Sequence, residues 1–185
     1  MKINLLVVIS LIVVLSAAMV APVVAADTGT STITGNPGAV IDIVITGSIS
    51  NWALAVGDNT DADSVNLTVS SNYIGWTVAV KDAMDDSKIS GTEGSMANWS
   101  SSAYVDDPSA TKLAALHVTG PSVPAKTTGA EVALTDSDQL IETGLDVVDA
   151  QSMDITIDQT VEYTDPRLPG SNVYRIIVTF TGTTP

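Results

Sequence analysis

The sequence contains no cysteine, one histidine and one phenylalanine, and only seven of its 185 residues are basic. The absence of cysteine excludes disulfide bonds, thiol catalysis and cysteine-based metal sites, so core packing has to stabilise the fold. Seven basic residues against 21 acidic ones give a net charge of −14. Because such a chain repels phosphate backbones, we expect no nucleic acid among its partners.

Catalytic motifs are also missing. The chain has no Gly-x-Ser-x-Gly nucleophile elbow, no phosphate-binding loop and no dinucleotide-binding fingerprint. The single histidine, His117, stands between Leu116 and Val118, so in a strand it would face solvent. We therefore expect a protein that is not an enzyme.

Residues 1–26 have the pattern of a secretory signal peptide. Lys2 supplies the positive charge of the n-region, residues 5–20 form an apolar run, and Val24, Ala25 and Ala26 form a small-residue cleavage site. We expect cleavage there, which leaves 27–185 as the mature domain, secreted or held at the cell surface. The alternative is an uncut leader that anchors the protein, which would be its only link to a membrane.

The mature part is rich in Thr, Ser, Val, Ile, Gly and Asp, a composition that favours strands joined by polar turns. Apolar and polar residues alternate in short runs at the spacing of a sandwich. We predict an all-β fold: a single antiparallel β-sandwich of immunoglobulin-like character over 27–185, preceded by an N-terminal hydrophobic signal helix.

Alternation places several strands and their inward positions. These positions are Val65, Leu67 and Val69 in one run, Trp76, Val78 and Val80 in a second, and Ile155 and Ile157 in a third. The pattern also predicts strands over residues 39–46 and 172–181. The last of these is apolar on both faces, so we predict that it lies in the centre of its sheet.

Residues 82–108 are polar and predict a long decorated loop, with one helical turn at most. Its aspartates, Asp82 among them, are interpreted as solvated turn charges.

Three tryptophans have two alternative roles. Trp52 and Trp76 share the pattern Trp-x-apolar-Ala-Val, and Trp99 lies in the predicted loop. Either the indoles cover the core, or Trp52, Trp76 and Trp99 offer stacking faces to a glycan.

Two glycosylation sequons occur, at Asn66 on the polar face of its strand and at Asn98 in the predicted loop. Both are candidate sites of a glycoprotein.

Calcium is a candidate cofactor because Asn59, Asp61 and Asp63 alternate along the chain, which can bring oxygens together. The EF-hand motif is absent, since Ser64 replaces its glycine and Ser70 its closing glutamate. Solvated charges are the competing interpretation, and no other cofactor is expected.

The pattern of 75–82, the later residues 96–99 and the closing strand 173–180 resemble small secreted β-sandwich surface proteins of methanogenic archaea. The resemblance implies a cell-surface role. Trp52, Ala53 and Leu54 are similar to the short motif of the bacterial WxL cell-wall-binding domains. Where that family has a second Trp-x-Leu in its terminal strand, this chain has Phe180, Thr181 and Gly182, so wall binding does not carry over.

These features predict a non-catalytic secreted or cell-surface protein with a structural or adhesive role in the envelope. One alternative is a filament subunit in which an N-terminal strand, 30–49, is donated to the next copy. Another is a carbohydrate-binding module that uses exposed tryptophan. The expected partners are other copies of the chain or envelope glycans.

Overall fold

A computed structural model describes residues 34–84, 87–106 and 111–185. The chain divides into two compact units, 1–37 and 38–185. Of the first unit only 34–37 are described, and they are exposed and without regular secondary structure. The predicted leader, 1–26, lies outside the described residues. Within the described ranges, no helix has the length and apolar character needed to cross a bilayer.

The second unit is all-β, and its strands pair antiparallel. The strands are β1 Ile41–Gly47, β2 Gly57–Ser71, β3 Thr77–Asp82, β4 Ser95–Ser100, β5 Ala103–Tyr104, β6 Lys112–Ala115, β7 His117–Thr119, β8 Thr127–Gly129, β9 Glu131–Ala133, β10 Gln139–Gly144, β11 Val148–Val161, β12 Val173–Arg175 and β13 Val178–Thr183. Sheet A has the order β1-β2-β11-β7-β9, and sheet B has the order β13-β3-β10-β8. Sheet C has the order β12-β4-β5, with β6 also paired to β4.

The longest pair joins β2, of 15 residues, to β11, of 14 residues. We call this pair the rib. Its register runs from Ser71 opposite Val148 to Gly57 opposite Val161, with two irregularities. Inward residues such as Leu67 are buried, whereas the outward residues are polar, as alternation requires of a sheet with one wet face.

The main core lies between the inward faces of sheets A and B. Sheet A contributes Leu67 and Ile155, and sheet B contributes Trp76, Val78 and Ile141. Each such aliphatic side chain stabilises the fold by about 1.5–3 kcal/mol on burial. The inward positions predicted in the three alternating runs are confirmed, with Val65 only partly buried. Packing of two sheets in this way is compatible with a β-sandwich.

The packing of Trp76 in this core explains why residue 144 is glycine. A Cβ built at Gly144 would lie 2.2 Å from the ring of Trp76. The indole therefore occupies the space that any larger residue would need.

The prediction of a central last strand is wrong. The segment 172–181 divides into β12, which pairs with β4 in sheet C, and β13, which pairs with β3 at an edge of sheet B. Both faces are apolar because the chain changes sheets at Ile176 and Ile177, so the inward direction changes along it.

The prediction of a loop over 82–108 is also wrong in its middle. Residues 95–100 form β4 and residues 103–104 form β5. The burial pattern of β4 lacks regular alternation, and the register of β4 with β6 shifts between Ser95 and Ala97.

Candidate functional site

A cleft of about 1200 Å³ opens where the three sheets meet. Segments 47–54 and 172–178 form much of its wall, and Val65, Ile157 and Phe180 reach it from the strands. Most of these residues are apolar, so the cleft exposes hydrophobic surface that the core does not close. Concave apolar surface of this kind is typical of binding sites.

Charge in the cleft differs in sign from the rest of the molecule. Arg167 and Arg175, the only arginines in the sequence, both line it, together with Asp165. The cleft therefore combines an apolar wall with cations in a strongly acidic protein.

The three tryptophans occupy different environments. Trp76 is fully buried, and its Nε1 donates to the carbonyl oxygen of Asp146 at 3.0 Å, so it offers no face to a ligand. Trp52 is half-buried, packs against the core and lines the cleft. Trp99 is half-buried and already stacked, so Trp52 is the one best placed to touch a bound molecule.

A series of contacts joins two cations, two aromatic rings and one carboxylate, and three of these residues lie in sheet C. The Arg175 guanidinium carbon lies 3.9 Å from the Trp99 ring centroid, and the Trp99 and Tyr104 centroids are 5.0 Å apart in an edge arrangement. Lys88 Nζ lies 5.6 Å from the Tyr104 centroid and forms an ion pair with Asp82. We call these five residues the charged cluster. Cation–π attraction strengthens when the groups are desolvated, as at its inner end.

The inner end of the charged cluster is a buried ion pair. The side chains of Lys88 and Asp82 are each 1% exposed. Asp82 also accepts from the backbone N–H of Gly94 at 2.8 Å and of Met84 at 3.3 Å, and Lys88 donates to the carbonyl oxygen of Ser95 at 2.9 Å. The interpretation of Asp82 as a solvated turn charge is therefore wrong.

Gly94 fits this site for a steric reason. Its φ is +71°, and a Cβ there would lie 1.8 Å from the carbonyl oxygen of Leu134. Only glycine brings its N–H to Asp82 without displacing the neighbouring chain.

A second buried carboxyl lies in sheet B. Glu142 is fully buried on β10, and among the residues that the structure describes neither of its carboxyl oxygens has a hydrogen-bond partner of ordinary geometry. Burial raises its pKa to about 7, and the nearby Thr127 hydroxyl acts in the opposite direction. A carboxyl in this position titrates near neutral pH instead of near its usual value.

The two sequons differ in accessibility. Asn66 lies on the outward face of the rib, where its amide donates to Asp154 and accepts from Ser152. Asn98 lies in β4, not in a loop, and is buried, with its Oδ1 accepting from Asn172 at 3.0 Å. Because a transferase needs an accessible amide, Asn66, which is half-buried, is the more accessible of the two sequons in the folded domain.

The candidate calcium residues use their oxygens within the protein. Asn59 Oδ1 accepts from the backbone N–H of Ala55, and both oxygens of Asp61 accept from Ser64. Asp63 is exposed on the same strand. Across the described ranges, no cluster of three or more histidine or acidic side chains is arranged to hold a metal ion.

His117 lies on the solvent side of β7, as predicted, while Leu116 and Val118 are buried. Its Nδ1 is 2.7 Å from the Glu131 carboxylate, in a pair that is largely exposed. This is a surface contact at the sheet edge.

Sequence reasoning missed the cleft, Lys88 and Glu142. The cleft depends on where three sheets meet, which no local pattern encodes. Glu142 follows buried Ile141 because β10 has an irregularity between Leu140 and Glu142, and this shifts the alternation by one residue.

No protein-family model matches this chain, and no curated protein matches it significantly.

Proposed function

We propose that the protein is an exported, non-catalytic β-sandwich of immunoglobulin-like type that serves as a structural or adhesive component of the cell envelope. The observation that carries this proposal is the rib. Its inward face builds the core, and its outward face is held by side-chain hydrogen bonds between the two strands. These pairs are Asp58 with Thr160, Thr60 with Asp158, and Asn66 with both Asp154 and Ser152.

A long, doubly reinforced strand pair suits a load-bearing surface domain. Backbone pairing along the full length of β11 fixes the strand, and cross-strand side-chain pairs add to it. The protein has no disulfide that would do the same. The acidic surface supports solubility outside the cell, and the apolar cleft supports adhesion.

Deletion of the gene tests this proposal, with envelopes examined by electron microscopy of sectioned cells. Deletion should disturb the envelope, and the wild-type gene should restore it. Restoration should weaken with a Thr60→Val and Thr160→Val double variant, which removes rib hydrogen bonds. A Glu131→Ala variant, altered on β9, which pairs with neither strand of the rib, is the matched control and should restore fully. A diffusible protein without an envelope phenotype would contradict the proposal.

A second candidate function is glycan binding in the cleft, favoured by the position of Trp52. An indole at the mouth of a concave site can stack on a sugar ring, and the two arginines can donate to its hydroxyl groups. Purified protein on an array of envelope glycans should bind, and Trp52→Ala should abolish the binding. Val147→Ala, at an exposed turn, is the control. Binding that survives Trp52→Ala would reject this candidate.

Pairing between copies is a third candidate, favoured by the sheet edges. Of the segment predicted for donation, Ile41–Gly47 forms β1 and pairs with β2 of its own chain. Within the described ranges, no strand is hydrogen-bonded to the outer edge of β1 or of β13, so another copy can add there. Light scattering should show oligomers that Val44→Lys reduces and Leu145→Lys, off the edge, does not. A wild-type monomer at high concentration would exclude this mode.

A further inference from the structure

We propose that Lys88 and Asp82 condense to an amide, so that the folded domain carries one covalent side-chain crosslink. The proposal goes beyond the envelope role and does not depend on it. It starts from a juxtaposition: a primary amine and a carboxyl touch in a site from which water is excluded, since each side chain is 1% exposed.

The amine and both carboxyl oxygens of the site each have a backbone hydrogen-bond partner that helps to fix their positions. The Ser95 carbonyl oxygen, 2.9 Å from Lys88 Nζ, orients the amine. The N–H groups of Gly94 and Met84 contact the two carboxyl oxygens, at 2.8 Å and 3.3 Å. These donors stabilise the negative charge that develops on oxygen when the amine attacks, as an oxyanion hole does.

The reaction balances without any added reagent. The Lys88 ammonium first gives a proton to the Asp82 carboxylate in direct contact with it, which produces a neutral amine and a neutral acid. The Nζ lone pair then attacks Cγ, and a C–N bond forms. The C–OH bond breaks, and the hydroxyl leaves with a proton from the nitrogen as water. The amide keeps one N–H for the Ser95 carbonyl and one oxygen for a backbone N–H.

Burial favours the product. A buried ion pair carries a desolvation penalty for each charge, whereas an amide is neutral and its polar atoms keep hydrogen-bond partners here. Proximity removes the entropic cost of bringing the reactants together. The closed site also limits the water that would hydrolyse the bond. A cysteine-free domain thereby gains a covalent link without disulfide chemistry.

Intact-mass spectrometry of the denatured, purified protein tests the proposal. The mass should be lower than the sequence requires by one water, and proteolysis should yield one branched peptide joining Lys88 to Asp82. Asp82→Ala and Lys88→Arg should each show the full mass. Lys112→Arg, which changes an exposed lysine, should keep the deficit.

Two results would overturn the crosslink. One is the full sequence mass in the wild-type protein, which means an ion pair only. The other is a water deficit that maps to a different aspartate, such as a cyclised side chain. Both results leave the envelope proposal unaffected, because that proposal depends on the rib and on location.

Discussion

The rib and the charged cluster stabilise adjoining parts of one domain by different means. The rib buries aliphatic side chains on one face and joins neutral or singly charged polar groups on the other. The charged cluster instead places Lys88 and Asp82 out of contact with water and covers two rings with cations. Aliphatic burial tolerates small changes, whereas a buried charge depends on its partner. Mutations should therefore cost more in the cluster than on the outward face of the rib.

Removing the inner cation should have the largest effect. Lys88→Met leaves the Asp82 carboxyl buried without the nitrogen that pairs or bonds with it, which should lower the free energy of unfolding by about 3–5 kcal/mol. The measurement is urea unfolding followed by tryptophan fluorescence. Lys81→Met is the matched control because the Lys81–Asp138 pair, at 3.3 Å, is on the surface. The control should lose less than about 1 kcal/mol. Equal losses would remove the distinction between the two regions.

Glu142 extends the comparison, because it is another ionisable group buried inside the domain, on β10 of sheet B. Its pKa is raised from 4.5 to about 7 in the folded state. The unfolded chain therefore releases this proton first. Stability from this group is complete below about pH 4.5 and is lost as the pH rises through about 7, a change of about 3 kcal/mol.

Glu142→Gln should remove that pH dependence and leave the variant more stable than the wild type above neutral pH. Urea midpoints at about pH 5 and about pH 8 measure it. Glu162→Gln, at an exposed carboxyl directly after the rib, should keep the wild-type slope. If the wild type and the Glu142 variant show the same slope, Glu142 is not the titrating group.

The outward face of the rib should respond weakly. Thr160→Val removes the hydrogen bond to Asp58, 2.7 Å long and exposed, and should cost about 1 kcal/mol. Thermal unfolding at matched pH measures it. Thr164→Val, in the turn after the rib, is the control, because it measures the effect on stability of replacing a threonine outside the rib. A loss as large as that of Lys88→Met would show that the hydrogen bonds on the outward face of the rib contribute more to stability than we infer.

The outer end of the charged cluster should have the smallest effect. Arg175→Gln removes the cation from the Trp99 face and should cost about 0.5–1 kcal/mol, since that end is half-exposed. Trp99 emission should also shift as its environment changes. Arg167→Gln, in the cleft but outside the stack, should shift it less. Identical responses would separate Arg175 from the cluster.

The rib region could be predicted from the sequence because its signal is local. Period-two alternation at Val65, Leu67 and Val69, and again at Ile155 and Ile157, identifies strands whose inward faces are the observed core. The same pattern predicts the all-β class. The pairing of β2 with β11 could not be predicted, because these strands are about 90 residues apart in the sequence and no local pattern specifies which strands pair.

The charged cluster could not be predicted, since each residue in it looks ordinary alone. Asp82 and Lys88 stand in a polar segment that resembles a loop, and their burial depends on contacts with residues elsewhere in the fold, such as Ser95 and Tyr104. The change of sheet at Ile176 could not be predicted from the sequence for a related reason. A strand that passes between two sheets is apolar on both faces, as a central strand is.

Fractionation of the native cells, followed by N-terminal sequencing of the recovered protein, tests the proposed export to the envelope. We expect a product in the envelope fraction that begins near Asp27 and is cleaved when intact cells are treated with protease. A full-length product that begins at Met1 and stays protected in the cytoplasm would contradict it.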